Sequence, residues 1–152
     1  MSNGPSDRPY LDLMQKMIAG EIPPPTVAQT VGFTALEVRP DFAAFEMDAT
    51  PQRHANPMGT VHGGVLCDIA DAAMGVAWAS NLLQGETFTT LELKINFLKP
   101  IWEARLRAEA RVVKRGKTVG LAECDVRDAK GDLVAHATST LMTLRGEQAK
   151  GR

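Results

Sequence analysis

Side chains that build metal and redox centres are scarce in this chain. It has two cysteines and three histidines in 152 residues. Cys67 and Cys124 stand apart among apolar neighbours, with no Cys-x-x-Cys pair and no Cys/His cluster. No structural zinc or other metal site is therefore expected, and both thiols read as reduced and buried. Charge of one sign is lacking too. Lys and Arg number 17 against 18 Asp and Glu, a net charge of -1. The basic residues are scattered, which argues against nucleic acid as a partner. The first fifteen residues hold no apolar stretch of signal-peptide type, so a cytoplasmic location is expected. Only residues 61–83 are long and apolar enough to raise a membrane span. Two aspartates near their middle would each cost roughly 2.5–3.5 kcal/mol there. The stretch reads as a buried helix, and no membrane contact is expected.

What is present suits one domain of ordinary size, with 44% apolar residues, enough for a single core. Residues 1–25 read as a loose tail, a short helix over "DRPYLDLMQKMIAG" and a Pro-rich connector, "EIPPPT". Asp7 is placed to cap that helix, Pro9 to sit in its first turn and Gly20 to end it. Leu13, Met14, Met17 and Ile18 form its apolar stripe. The main domain is expected over 26–145, with a polar tail at 146–152.

Inside the main domain the hydrophobic period changes to two. "FTALEVR" and "FAAFEMDA" flank Pro40-Asp41 and read as a hairpin. A loop over 50–60 leads to a helix at roughly 63–83 that is apolar nearly all round, from Val65 and Leu66 to Ala77 and Trp78. Four strand-like segments follow. In "TFTTLELKINFL", Leu91, Leu93, Ile95 and Phe97 are expected to share a face. "ARLRAEARVVK" alternates strictly, and "TVGLAECDVRD" and "LVAHATSTLMTL" complete the set. The order predicts an α+β fold, an antiparallel sheet wrapped around one central helix. One sheet covers only part of such a helix. A second copy of the chain is the simplest cover for the rest, so a dimer at least is expected.

Asp68 and Asp71 lie three apart in this greasy helix, so they share a side. A helix dipole accounts weakly for Asp68 and hardly at all for Asp71, which is two turns in. A buried hydrogen-bond network and an active site at a subunit interface both remain open. The preceding His62-Gly63-Gly64 starts the helix with N–H groups that no side chain covers, a suitable place to polarise a carbonyl oxygen. Gly-Gly can equally mark close packing.

"Asn56-Pro-Met-Gly-Thr-Val-His62-Gly63-Gly64", with an acid nine residues after the histidine, resembles the hotdog-fold acyl-CoA thioesterases of the phenylacetate-pathway (PaaI-type) group. "TTLELKINFLKP" and "KRGKTVGLAECDV" are similar to later strands of that family, and the resemblance covers roughly residues 25–145. It implies a hotdog fold, dimers that share their active sites, and pairing of dimers into tetramers. It implies hydrolysis of an aryl- or short/medium-chain acyl-CoA to free acid and CoA, with no cofactor beyond the CoA of the substrate. Asp71 would attack the thioester or activate water; the two roles stay open. Gly63 N–H would polarise the thioester oxygen, with Gly64 beside it. Asn56 would bind water or that oxygen, His62 would orient the turn and Asn56, and Thr90 (or its neighbour Thr89) would hold the water. Asp68 is the rival acid. The carboxylate would come from the chain opposite the one giving the His-Gly-Gly turn.

Lys99, Arg115, Gly116 and Lys117, with Thr118, sit in turns that could meet CoA phosphates. Met58, Val61, Met74, Trp78 and Leu91 are candidates for the acyl pocket, Met58 and Trp78 foremost. Two other activities are alternatives: a hotdog-type enoyl hydratase or dehydratase, and a non-catalytic acyl-CoA binding module.

Overall fold

The computed structural model describes residues 7–151. The expected tail over residues 1–6 lies outside them. Six antiparallel strands make one sheet in the order β1-β2-β4-β5-β6-β3. They are β1 (Phe33–Arg39), β2 (Phe42–Ala49), β3 (Thr87–Phe97), β4 (Ala104–Arg115), β5 (Val119–Asp128) and β6 (Leu133–Leu144). Helix α4 (Gly63–Ala79) lies in the curve of the sheet and meets every strand. Three shorter helices precede it: α1 (Pro9–Ile18), α2 (Thr26–Val31) and α3 (Pro51–His54). This is the α+β hotdog arrangement, with a short extra N-terminal helix. Among the described residues no helix is long and apolar enough to cross a membrane.

The strands follow the period-two pattern. On β4, Leu106, Ala108 and Ala110 are buried while Arg105, Arg107, Glu109 and Arg111 are exposed. On α4, Ile69, Ala70, Ala73, Met74, Ala77 and Trp78 have no exposed surface. Small residues dominate both faces of this contact, so helix and sheet approach closely. The helix ends at Ala79 rather than 83, because Ser80 turns its hydroxyl back onto Ala77 O (2.7 Å) and accepts from Asp41 N (2.9 Å). Asp41, the turn residue of the first hairpin, holds a left-handed backbone (φ 62°). It is thus tied to the C-terminus of α4.

Three local expectations are corrected. Asp7 does not cap α1; Arg8 holds the cap position, with no side-chain cap bond, and Pro9 opens the helix. Leu13 and Ile18 are exposed, while Tyr10 and Met14 pack on the core. The third concerns β3. The strand does not alternate cleanly, since its pairing with β6 slips between Thr90 and Glu92. Leu91 is the extra residue, turned outward and 52% exposed. The bulge switches the inward positions from even to odd. Thr90 before it and Leu93, Ile95 and Phe97 after it all face α4.

Candidate active site

Helix α4 opens with a built turn. His62 is its N-cap, and its Nδ1 accepts from Gly64 N at 2.9 Å. That fixes the proton of a neutral imidazole on Nε2. His62 N donates to His54 O at 2.8 Å. His54 is buried, with Nδ1 accepting from Thr50 N (3.0 Å) and Nε2 against Val31 O (2.8 Å). This anchor went unread in the sequence: Thr50 is only four residues away, but Val31 lies on α2, 23 residues back, and no local spacing points to it. Two readings of the turn change as a result. Among the described residues the His62 side chain bonds to Gly64, while Asn56 bonds to Thr60 and Met58. The Gly64 N–H is spent on His62 and is not open to a ligand. Gly63 N–H has no acceptor among the described residues.

Asn56 is positioned by its own loop. Its Nδ2 donates to Thr60 Oγ1 (2.8 Å), and its Oδ1 accepts from Met58 N (2.9 Å). The backbone closes the same turn through Asn56 N to Thr60 O (2.8 Å). Asn-Pro-Met-Gly-Thr is thus an Asx-type turn, and Thr60 is the partner that sequence spacing had left out. Asn56, Gly63, Val61 and Leu66 line one cavity of about 370 Å³, closed on the far side by Phe97–Ile101. The Phe97 ring lies on Gly63. A Cβ at position 63 would stand 2.7 Å from Phe97 Cζ, so any larger residue there would have to push the ring aside.

The acids sit further along. Asp68 and Asp71 are both exposed in the single chain. Thr90 Oγ1 donates to Asp71 Oδ1 at 3.0 Å, while the Thr89 hydroxyl leans toward Thr90 O. The bulge has aimed Thr90, not Thr89, at the acid. Burial, then the Asp71 charge, raises the Asp68 pKa above the usual carboxylate value. Burial and both aspartates likewise push the Cys67 thiol up. Asp71 is eight residues beyond Gly63, about 12 Å along the helix. One chain therefore brings together Asn56 with Gly63, and Thr90 with Asp71, but not the two pairs with each other.

The other sequence candidates scatter. Trp78 is core: its surface is fully buried, Nε1 reaches Thr143 Oγ1 (3.2 Å), and Arg115 stacks on its ring at 4.0 Å. It has no face left for a ligand, and Met74 is equally buried. Arg115 is engaged inward, with Nη2 on Asp41 Oδ1 (2.8 Å) and on Trp78 O (2.7 Å). It ties the α4 C-terminus to two turns and is not free for phosphate. Gly116 N closes the hairpin onto Val119 O. Lys117 and Thr118 are exposed beside it. Lys99 lines the cavity with its stem, while its Nζ meets Asp128 and Asp132, each at 2.6 Å. The hydrogen bonds it donates to those two carboxylates hold its pKa above the usual lysine value. Met58 is 79% exposed on the loop tip, and Val61 lines the cavity. Among the described residues no three His, Cys, Asp or Glu side chains gather as a metal site requires.

A sheet wrapped around one long helix, with a glycine N–H at the helix start and an acid two turns on, defines a hotdog-fold protein. The family profile of the Thioesterase superfamily matches residues 58–135, and the chain belongs to that superfamily. It is closely related to the PaaI-type, phenylacetate-pathway group. It is 33% identical to the solved structure of a phenylacetic acid degradation-related protein from Ralstonia eutropha JMP134. That match covers 85% of this chain and 98% of the other, at a TM-score of 0.76. The PaaI protein of E. coli, from the phenylacetic acid degradation operon, shares the fold at 24% identity and a TM-score of 0.78. There the coverage is 93% and 98%. A candidate esterase of Saccharolobus solfataricus is 37% identical over 60% of this chain. The chain spans 66% of that curated relative and 57% of a second from the same organism.

Proposed function

We propose that the protein is an acyl-CoA thioesterase, hydrolysing an aryl- or short/medium-chain acyl-CoA to free acid and CoA, and that it works as a homodimer with shared sites. The observation that carries this is the division of the helix into two half-sites. One half is a bare Gly63 N–H beside an apolar cavity and Asn56. The other is Asp71 held by Thr90. Neither half hydrolyses anything alone. Two copies packed about a twofold axis, helix to helix, bring the Asp71 half of one to the Gly63 half of the other.

Strand β3 supports that packing. It is a long edge strand, with exposed Leu91 near its start and exposed Phe97 and Leu98 at its end. A long edge strand with exposed apolar side chains among its charges is the kind that pairs with another chain. In the shared site, Gly63 N–H at the positive end of α4 receives the thioester oxygen as it gains charge. Asp71 either adds to the carbonyl, giving a mixed anhydride that water then hydrolyses to the free acid, or takes a proton from the water that adds; the geometry suits either. Thr90 fixes the carboxylate rotamer by its hydrogen bond, and in this reading its hydroxyl helps hold the attacking water. The thiolate of CoA leaves and takes up a proton. The phenylacetate link of the Ralstonia relative favours an aryl acyl group.

Complementation tests both parts of the proposal. Asp71→Asn and Gly63→Val chains are each expected to lack thiol release from phenylacetyl-CoA. Co-refolded, they form hybrid dimers in which one of the two sites is intact, and activity returns to as much as a quarter of wild type. Activity in either variant alone, or none on mixing despite hybrid formation in native mass spectra, rejects the shared site. No thiol release by wild type from any aryl or aliphatic acyl-CoA rejects the thioesterase and leaves hydration and plain binding to be tried.

A further inference from the structure

We infer that Phe97 decides which acyl groups reach Gly63, and that the cavity it walls takes an uncharged apolar one. This rests on the thioesterase reading. Phe97 is a large aromatic residue with 55% of its surface exposed, yet it does not stand free. The bulge at Leu91 brings it to the inward face, and its ring covers Gly63. The ring therefore touches the residue whose N–H would hold the thioester oxygen. It forms one wall of a 370 Å³ cavity whose floor is Val61, Leu66 and Ile101, all buried. That volume is in the range of small-molecule pockets, roughly 300–1,000 Å³. A ring with more than half its surface exposed has room to move, whereas the floor residues are fixed by the core.

The polar side chains of the cavity are already occupied, which leaves the Gly63 N–H as its open donor. Asn56 and Thr60 bond to each other at the Gly63 end. Lys99 is turned away to Asp128 and Asp132. Among the described residues of one chain the lining offers no free cation, so an acyl chain ending in a carboxylate would lose water and gain no partner from this wall of the site. An aryl group would gain edge-to-face contact with Phe97, a factor of about 2 to 12 in affinity.

The test compares wild type, Phe97→Leu and Phe97→Ala on phenylacetyl-, hexanoyl-, decanoyl- and succinyl-CoA, with thermal melting as the control for folding. Wild type is expected to prefer the uncharged acyl groups over succinyl by about 100-fold or more in kcat/KM. Phe97→Ala is expected to lower phenylacetyl-CoA turnover about tenfold relative to decanoyl-CoA, with Phe97→Leu between. An equal change on every thioester would place Phe97 against the pantetheine arm and overturn the proposal, as would no change or efficient succinyl-CoA cleavage. If wild type cleaves no thioester, only the thioesterase reading falls. Calorimetric titration with S-phenacyl-CoA and S-carboxymethyl-CoA, two thioethers that cannot be hydrolysed, then decides. Tighter binding of the phenacyl compound, weakened in Phe97→Ala, upholds the role of Phe97. Equal affinities, or no binding of either, overturn it.

Discussion

At its first turn α4 offers a backbone N–H next to an apolar cavity; two turns on, the same helix presents two acids to the outside. The first end is part of the fold. His62 caps the helix, His54 anchors His62, and the Asn56–Thr60 turn closes around them. The second end is almost detachable, since Asp71 is exposed and a single threonine holds it. The difference teaches where substitutions will cost stability and where they will cost only chemistry. A group that the fold needs cannot be removed cleanly, whereas a group kept only for its reaction can.

Asp71→Asn should break the comparison most sharply. Loss of a general base typically costs 10²- to 10⁴-fold, and a nucleophile costs at least as much. Thiol release is expected to fall by about 10³ in kcat, while the melting temperature stays where it was. A large loss of stability would mean that the acid belongs to the fold after all. Single-turnover trapping of an acyl-enzyme in wild type would then separate nucleophile from base.

The two edges of the sheet repeat the contrast. Strand β1 is short, and its edge carries the Glu37–Arg39 pair at 3.0 Å, the sort of charge that discourages pairing. Strand β3 is 11 residues long and shows Leu91 to solvent. Leu91→Glu is expected to dissociate the dimer, so that specific activity drops on dilution, about tenfold or more at concentrations where wild type remains paired. Glu37→Lys on the opposite edge should leave both association and activity unchanged. Sedimentation velocity across a dilution series measures the difference, and equal behaviour of the two variants would remove β3 as the interface.

A smaller effect is expected where the two ends meet their supports. Thr90→Val keeps the shape and removes one hydrogen bond to a carboxylate, so kcat should fall about tenfold to a hundredfold with KM little moved. His62→Ala removes a helix cap and should cost about 1 kcal/mol of stability, together with a rise in KM as the turn loosens. If Thr90→Val lowers the melting temperature and His62→Ala does not, the two ends have been assigned the wrong way round.

The hairpin Phe33–Ala49 and the buried side of β4 were legible from the sequence because period and turn residues are local. So was the helix start at Gly63, while Asn56, Gly63, Asp71 and Thr90 are put forward as candidates by the family resemblance. What stayed hidden depends on distant partners. Helix α2 has no apolar period to announce it, and it is closed by Arg53, whose Nη2 meets Gln29 O and Thr30 O at 2.6 Å. Trp78 and Arg115 look available for binding until each is seen to satisfy the other across 37 residues of chain. The Leu91 bulge needs the register with β6. Without it the inward face would carry Leu91 in place of Thr90, and the acid would lack its threonine.

Asp68→Asn should have the smallest effect, and it separates the two acids. The Asp68 pKa is raised above 3.8 by burial and by Asp71. For a carboxyl whose folded pKa lies above its unfolded one, folding binds protons, so stability falls as pH rises through that interval. The cost is absent below about pH 3.8, where the carboxyl is protonated in both states, and complete once pH exceeds the folded pKa. Like charges three apart on a helix cost about 0.2–0.5 kcal/mol when exposed. Asp68→Asn is therefore expected to raise the melting temperature slightly at pH 7, with a gain that fades toward pH 3.5, and to leave thiol release within about twofold of wild type. Melting curves at the two pH values check the sign. A fall in activity matching that of Asp71→Asn would make Asp68 a working member of the site rather than a like-charged neighbour.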